Sequence, residues 1–231
     1  LARLTVIVPV LFSTGCIFLS QTVNLIVPAR LGDLIRIILV RHEYDSTVSQ
    51  GLSSIVVERI FDIITVALLG LIAVLFVIDV PDWILSLMVI PLVLGLIFFV
   101  LLVFMGRFSS DNKYIGYLLT MLNEVKAASL TPTTAVLLFI SSIAIWIMDT
   151  IICLAVSGMF NQEMPLAVVL LGVVAGNLVK AVPLTPGGMG TYEVTLAIIF
   201  ELSGVLPATA TLIAVVDHLI KNLITLLGGA V

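Results

Sequence analysis

Charge stands at two places in this chain where an apolar solvent would make it expensive. Glu58 and Asp62 are four positions apart and share one face of a helix, with Arg59 beside them. Asp217 and Lys221 repeat that spacing with His218 adjacent, inside a run that is otherwise apolar from Pro207 to Val231. Carboxylates accept hydrogen bonds from hydroxyl or ammonium groups, and Arg offers phosphate a two-pronged fork. A third feature is the stretch Pro183-Leu184-Thr185-Pro186-Gly187-Gly188-Met189-Gly190, where two prolines and three glycines forbid a continuous helix.

A helix that restarts near Thr191 after Gly187, Gly188 and Gly190 presents free N–H groups and the positive end of its dipole. A second one, expected to begin near Ala29 after Pro28, does the same. Such ends bind phosphate or carboxylate, and Arg30, Arg36 and Lys180 add point charge. Helix ends that favour anions beside carboxylates that favour cations or hydroxyls suit a ligand with a phosphate and a polar or amino-bearing head. A phospholipid or a polyprenyl-phosphate sugar has that form.

The elements that hold these residues are membrane helices. Apolar residues make up 61% of the 231-residue chain and charged ones 10%, against about 25% charged in soluble domains. The mean hydropathy is +1.31. Spans are expected at about Leu4 to Val27, Ile55 to Ile78, Trp83 to Met105, Thr133 to Phe160 and Pro207 to Val231. A broken element runs over Pro165 to Gly204, and unwound backbone at membrane depth survives only against protein or a wet cavity. Five lipid-facing charges would cost on the order of 15 kcal/mol, so they pair or face water. The bland readings are that Glu58 and Arg59 sit at the interface, that Asp217 and Lys221 merely join helices, and that Asp149 serves packing.

Net charge −4 with no basic run excludes a nucleic-acid partner. Cys16 and Cys153 read as apolar packing residues. Lys and Arg concentrate in connections 28–50 and 106–130, which places those two in the cytoplasm, with Arg3 as the exception. The chain opens at Leu1 in an apolar run, and further helices are expected upstream.

The sequence also repeats itself. Asn24-Leu25 and Asn177-Leu178 each precede a break, Asp33 stands 25 positions before Glu58, and Glu193 stands 24 before Asp217. The expected fold is therefore all-α, a polytopic membrane helix bundle forming a single domain with two internal repeats that contain re-entrant or broken helices. Unit one covers about 4–78, linker helices about 83–160, and unit two about 165–231. Secondary transporters place substrate at such repeat interfaces. Arg30, Glu58, Lys180, Glu193 and Asp217 are accordingly expected to line one polar cavity.

The stretch Asn24 to Arg36, the later Val57 to Asp62, and Pro183 to Glu193 together resemble the signatures of the lysylphosphatidylglycerol synthetase transmembrane-region family, a flippase-like domain of the cell membrane. The resemblance covers nearly the whole chain. It implies re-entrant segments and movement of a lipid headgroup between leaflets. Asp33, Thr185 and Tyr192, which stand in these stretches, join Glu193 and the residues named above as substrate-binding candidates. A lipid-modifying enzyme is a candidate partner. The alternatives are a membrane-embedded transferase acting on a lipid phosphate and a small-solute transporter. No DxD pair, HExxH zinc site or GxSxG turn is present, so no catalytic residue, metal or cofactor is assigned.

Overall fold

The structure, a computed structural model, describes residues 8–27, 30–44, 46–77, 80–105, 113–129, 131–182 and 184–230. Among them are nine α-helices and no strand. They are α1 (Val10–Ile26), α2 (Gly32–Tyr44), α3 (Val48–Val74), α4 (Asp82–Met105), α5 (Lys113–Ser129), α6 (Pro132–Met159), α7 (Leu166–Ala181), α8 (Thr191–Leu202) and α9 (Pro207–Gly229).

By length and composition, three stretches among the described residues can cross a membrane: Asp82–Leu102, Pro132–Met159 and Pro207–Gly229. Helix α3 has 27 residues, some 40 Å at 1.5 Å per residue, but carries Glu58, Arg59 and Asp62. Helices α1 and α7 are shorter, with 17 and 16 residues. The connections expected at 28–50 and 106–130 are largely helical, as α2 and α5. Their lower apolarity hid this, because a span criterion does not see a short amphipathic helix. The α5 helix is tied to α3 through Glu124, which accepts from Ser49 and Ser53 at 2.7 and 3.0 Å.

The core is centred on α7, whose residues Val168 to Gly176 are all buried, with α3, α6 and α8 packed around it. Gly172 and Gly176 form the small-residue stripe that lets α8 close on it. A Cβ at Gly172 would lie 2.6 Å from Leu196 Cδ1, and one at Gly176 2.8 Å from Tyr192 Cδ2. The outward faces of α4 and α6 stay apolar and exposed, for example Leu94, Ile97, Leu137 and Ile140, as a helix that meets lipid requires.

The break after α7 is where the prolines and glycines place it. Helix α7 ends at Ala181, a single 3₁₀ turn covers Pro186–Gly188, and α8 starts at Thr191. Gly187, Gly188 and Gly190 have φ of 60°, 77° and 83°, values that a Cβ disfavours. Pro183 itself, like Pro28 and Ala29, lies outside the described residues. The helix expected near Ala29 begins at Gly32 instead. Arg30 holds a positive φ of 54°, and the Gly32 N–H donates to Asn24 Oδ1 at 2.8 Å, so the first free amide of α2 is capped by a side chain of α1.

Candidate functional site

The two breaks touch. Arg30 donates from Nη2 to the Lys180 carbonyl at 3.4 Å, and a Cβ on Gly187 would stand 2.8 Å from Leu25 Cδ2. Between the helices that carry them opens a cavity of about 730 Å³, within the range of small-ligand pockets, about 300 to 1,000 Å³. Its charged border is Arg30, Asp33, Glu58, Arg59, Asp62 and Lys180, and its apolar wall includes Phe61, Leu138, Ile145 and Trp146. A smaller pit of about 70 Å³ adjoins it, bordered by Arg30, Lys180, Thr185, Gly187 and Gly188.

The charges of α2 and α3 are cross-paired. Asp33 accepts from Ser20 and Asn24 on Oδ1, at 3.0 and 3.2 Å, and from Arg59 on Oδ2 at 3.2 Å. Arg36 pairs with Glu58 at 2.8 Å. Asp62 accepts from Ser142 at 2.7 Å. Arg30 and Lys180 are different: among the described residues neither makes an ion pair with a carboxylate. Lys180 Nζ instead lies 3.3 Å from His218 Nε2. An ammonium only donates, so Nε2 accepts and the neutral ring carries its proton on Nδ1. That N–H points at Glu193 Oε1, 2.7 Å away, while Glu193 Oε2 caps the Gly190 N–H at 2.7 Å. One carboxylate thus fixes the start of α8 and the tautomer of His218, which steadies Lys180.

The expectation of one shared cavity is corrected here. Arg30, Glu58 and Lys180 border it, but Glu193 and Asp217 do not. The rings of Tyr192 and His218, with centroids 4.8 Å apart and both almost fully buried, fill the space in between. Asp217 belongs to a separate buried group in which Lys221 Nζ donates to Asp217 Oδ2 (2.8 Å), Asp149 Oδ1 (3.0 Å) and the Tyr192 hydroxyl (3.1 Å). Arg36 and Gly190 also stand off the cavity. Asp149, whose apolar neighbours suggest a packing role, is an ion-pair partner of Lys221. Asn177, which donates to Asp149 Oδ2 at 3.2 Å and borders the cavity, was noticed only as a repeat marker. A polar amide inside an otherwise apolar helix is the sequence signal that points to Asn177.

Gly188 leaves room for Lys180 directly: a Cβ there would collide with Lys180 Cγ, on a backbone with φ of 77°. Gly188→Val is therefore expected to cost about 1–3 kcal/mol of stability while leaving membrane insertion intact, since α7 and α8 keep their apolar faces. Thermal unfolding of the detergent-purified variant checks this, and a wild-type midpoint would contradict it.

Comparison with known proteins places the chain. The family model described as the lysylphosphatidylglycerol synthase TM region matches residues 1–229. The chain is 31% identical to a protein named glycosyltransferase AglD of Haloferax volcanii, over 94% of this chain and 42% of that protein. It is 28% identical to a UPF0104 membrane protein of Methanocaldococcus jannaschii, over 90% of this chain and 92% of the relative. The chain thus spans less than half of the Haloferax protein and nearly all of the Methanocaldococcus one. No solved structure matches it. This chain is a membrane protein of the lysylphosphatidylglycerol synthase transmembrane-region family.

Proposed function

We propose that the chain is a lipid translocator whose cavity takes the headgroup of a phospholipid or of a polyprenyl-phosphate-linked sugar and carries it between leaflets of the cell membrane. The observation that carries this reading is the pair Arg30 and Lys180, two cations without a carboxylate partner among the described residues, at the edge of a cavity with an apolar wall. A phosphate between them completes both, through charge-assisted hydrogen bonds. Asp62, whose hydrogen-bond partner among the described residues is Ser142, offers its free valence to a hydroxyl or ammonium of the head. The acyl chains lie outside, against the exposed apolar faces of the helices.

In the same reading, α1 to α3 and α7 to α9 act as two repeated units, with α4 to α6 between them. The breaks at 27–31 and 182–190 are re-entrant turns that bring Arg30 and Lys180 together. The connections 28–50 and 106–130 face the cytoplasm, where their Lys and Arg belong.

The name of the Haloferax relative favours a second reading, transfer of a sugar on a lipid phosphate. One experiment separates the two. The purified chain in liposomes is given fluorescent phosphatidylglycerol or a polyprenyl-phosphate sugar, and both leaflet position and chemical identity are followed. Unaltered lipid that crosses supports translocation. A new lipid product without crossing supports transfer and ends the first reading.

A further inference from the structure

We propose that Asp149 and Asp217, gathered on Lys221, form a proton-binding site, with the proton carried on Asp217 Oδ1, and that this proton drives headgroup movement. The driving role rests on the translocation reading; the site itself does not. Lys221 spends all three of its N–H donors, on Asp149, Asp217 and Tyr192. The Tyr192 hydroxyl in turn donates to Asp217 Oδ2 at 2.7 Å. Asp217 Oδ2 therefore accepts two hydrogen bonds, while Oδ1 meets no N–H or O–H donor and the carboxyl has only the weakly donating Cys153 thiol of α6 beside it, in a residue with 0% exposure.

Two carboxylates on one ammonium leave a net charge of −1 around Asp217, which is fully buried, while the Asp149 and Lys221 side chains keep 20% and 15% of their surface exposed. The titratable and charged groups that face Asp217 are Lys221 on its own helix, Tyr192 on α8, and Asp149 and Cys153 on α6. The neighbouring His218 is committed to Lys180 on α7 and Glu193 on α8. Among the described residues, no second cation pairs with the cluster. Burying an unpaired charge is unfavourable enough that a group takes up a proton instead. One proton taken from a hydronium ion breaks an O–H bond there, forms one on Oδ1, releases water, and takes the cluster from −1 to 0. A metal cation needs several oxygen ligands at once, whereas here one free carboxylate oxygen remains and neither cavity borders it.

The cluster is linked to the headgroup. Asn177 borders the cavity and donates to Asp149. A headgroup that takes over the Asn177 amide deprives Asp149 of that donor. Asp149 then draws more strongly on Lys221, and Lys221 holds Asp217 less firmly. Headgroup binding thus favours proton binding, and by reciprocity the proton favours the headgroup.

The test uses the full chain in liposomes with the membrane potential clamped. Fluorescent phosphatidylglycerol and a polyprenyl-phosphate sugar serve as separate probes, which also decides between glycerolipid and polyprenyl sources. With one proton per headgroup, the leaflet ratio of the transported probe is expected to shift by up to about tenfold per pH unit of gradient. Asp217→Asn, which leaves Asp149 and Lys221 as a neutral pair, is expected to give a ratio that ignores the gradient. Infrared spectra of the wild type are expected to show a protonated carboxyl band that Asp217→Asn removes. Movement with no response to the gradient overturns proton drive and leaves translocation standing. No movement of any probe overturns translocation, and the infrared band then decides the site alone: a band that is absent, or unchanged in Asp217→Asn, overturns it.

Discussion

Replacing Lys221 by Met is expected to lower the stability of the detergent-purified protein by about 3–5 kcal/mol, the cost of stripping a buried ion pair of one partner. The reason is local. Lys221 is the ion-pair partner of both Asp149 and Asp217 among the described residues, and its loss leaves the Asp149 carboxylate unopposed, that of Asp217 too whenever it gives up its proton, and the Tyr192 hydroxyl without a donor. Adding Asp149→Asn and Asp217→Asn to Lys221→Met is expected to restore most of the loss, because neutral amides need no cation. Chemical or thermal unfolding of the three proteins reads this directly. A Lys221→Met variant within about 1 kcal/mol of wild type would mean that the cluster is wetter than its burial indicates.

The second large effect falls on the ligand. Arg30→Gln and Lys180→Gln each remove a charge-assisted contact to phosphate, about 1.5–3 kcal/mol, which is roughly ten- to hundredfold in affinity. The double variant is expected to bind no phospholipid measurably. Stability should change little, since neither cation is engaged by a carboxylate among the described residues. Arg30→Lys keeps the charge but loses the two-pronged geometry, so its affinity is expected to fall between. Displacement of a fluorescent phospholipid from the solubilised protein measures all four, and equal affinity across the set would remove both residues from headgroup binding.

The break after α7 was legible because its cause is local: glycines and prolines constrain the backbone wherever they fold, and the turn at Pro186–Gly188 and the start at Thr191 follow. The pairing of Asp217 with Lys221 was legible for a similar reason, since positions i and i+4 meet on any helix. Asp149 was not, because its partner lies on α9, and sequence spacing carries no information about which helices pack. The same limit hid the pairing of Arg36 with Glu58 and of Arg59 with Asp33, which join α2 to α3. Gly172 and Gly176 had a readable spacing, but only the close approach of Tyr192 and Leu196 shows what the two glycines admit. The separation of Asp217 from the cavity turned on a side chain: Tyr192 was a motif residue in the sequence and is a wall in the fold.

The central claim is that a lipid headgroup occupies the cavity between the two breaks. Photo-crosslinking tests it most directly, with phosphatidylglycerol and a polyprenyl-phosphate sugar that each carry a photoreactive group on the head, followed by mass-spectrometric mapping of the adducts. The account predicts adducts on cavity residues such as Phe61, Leu138 and Trp146, lost in the Arg30→Gln, Lys180→Gln double variant. Adducts confined to outward faces such as Leu94 and Ile97 of α4, and unchanged in the double variant, would contradict it.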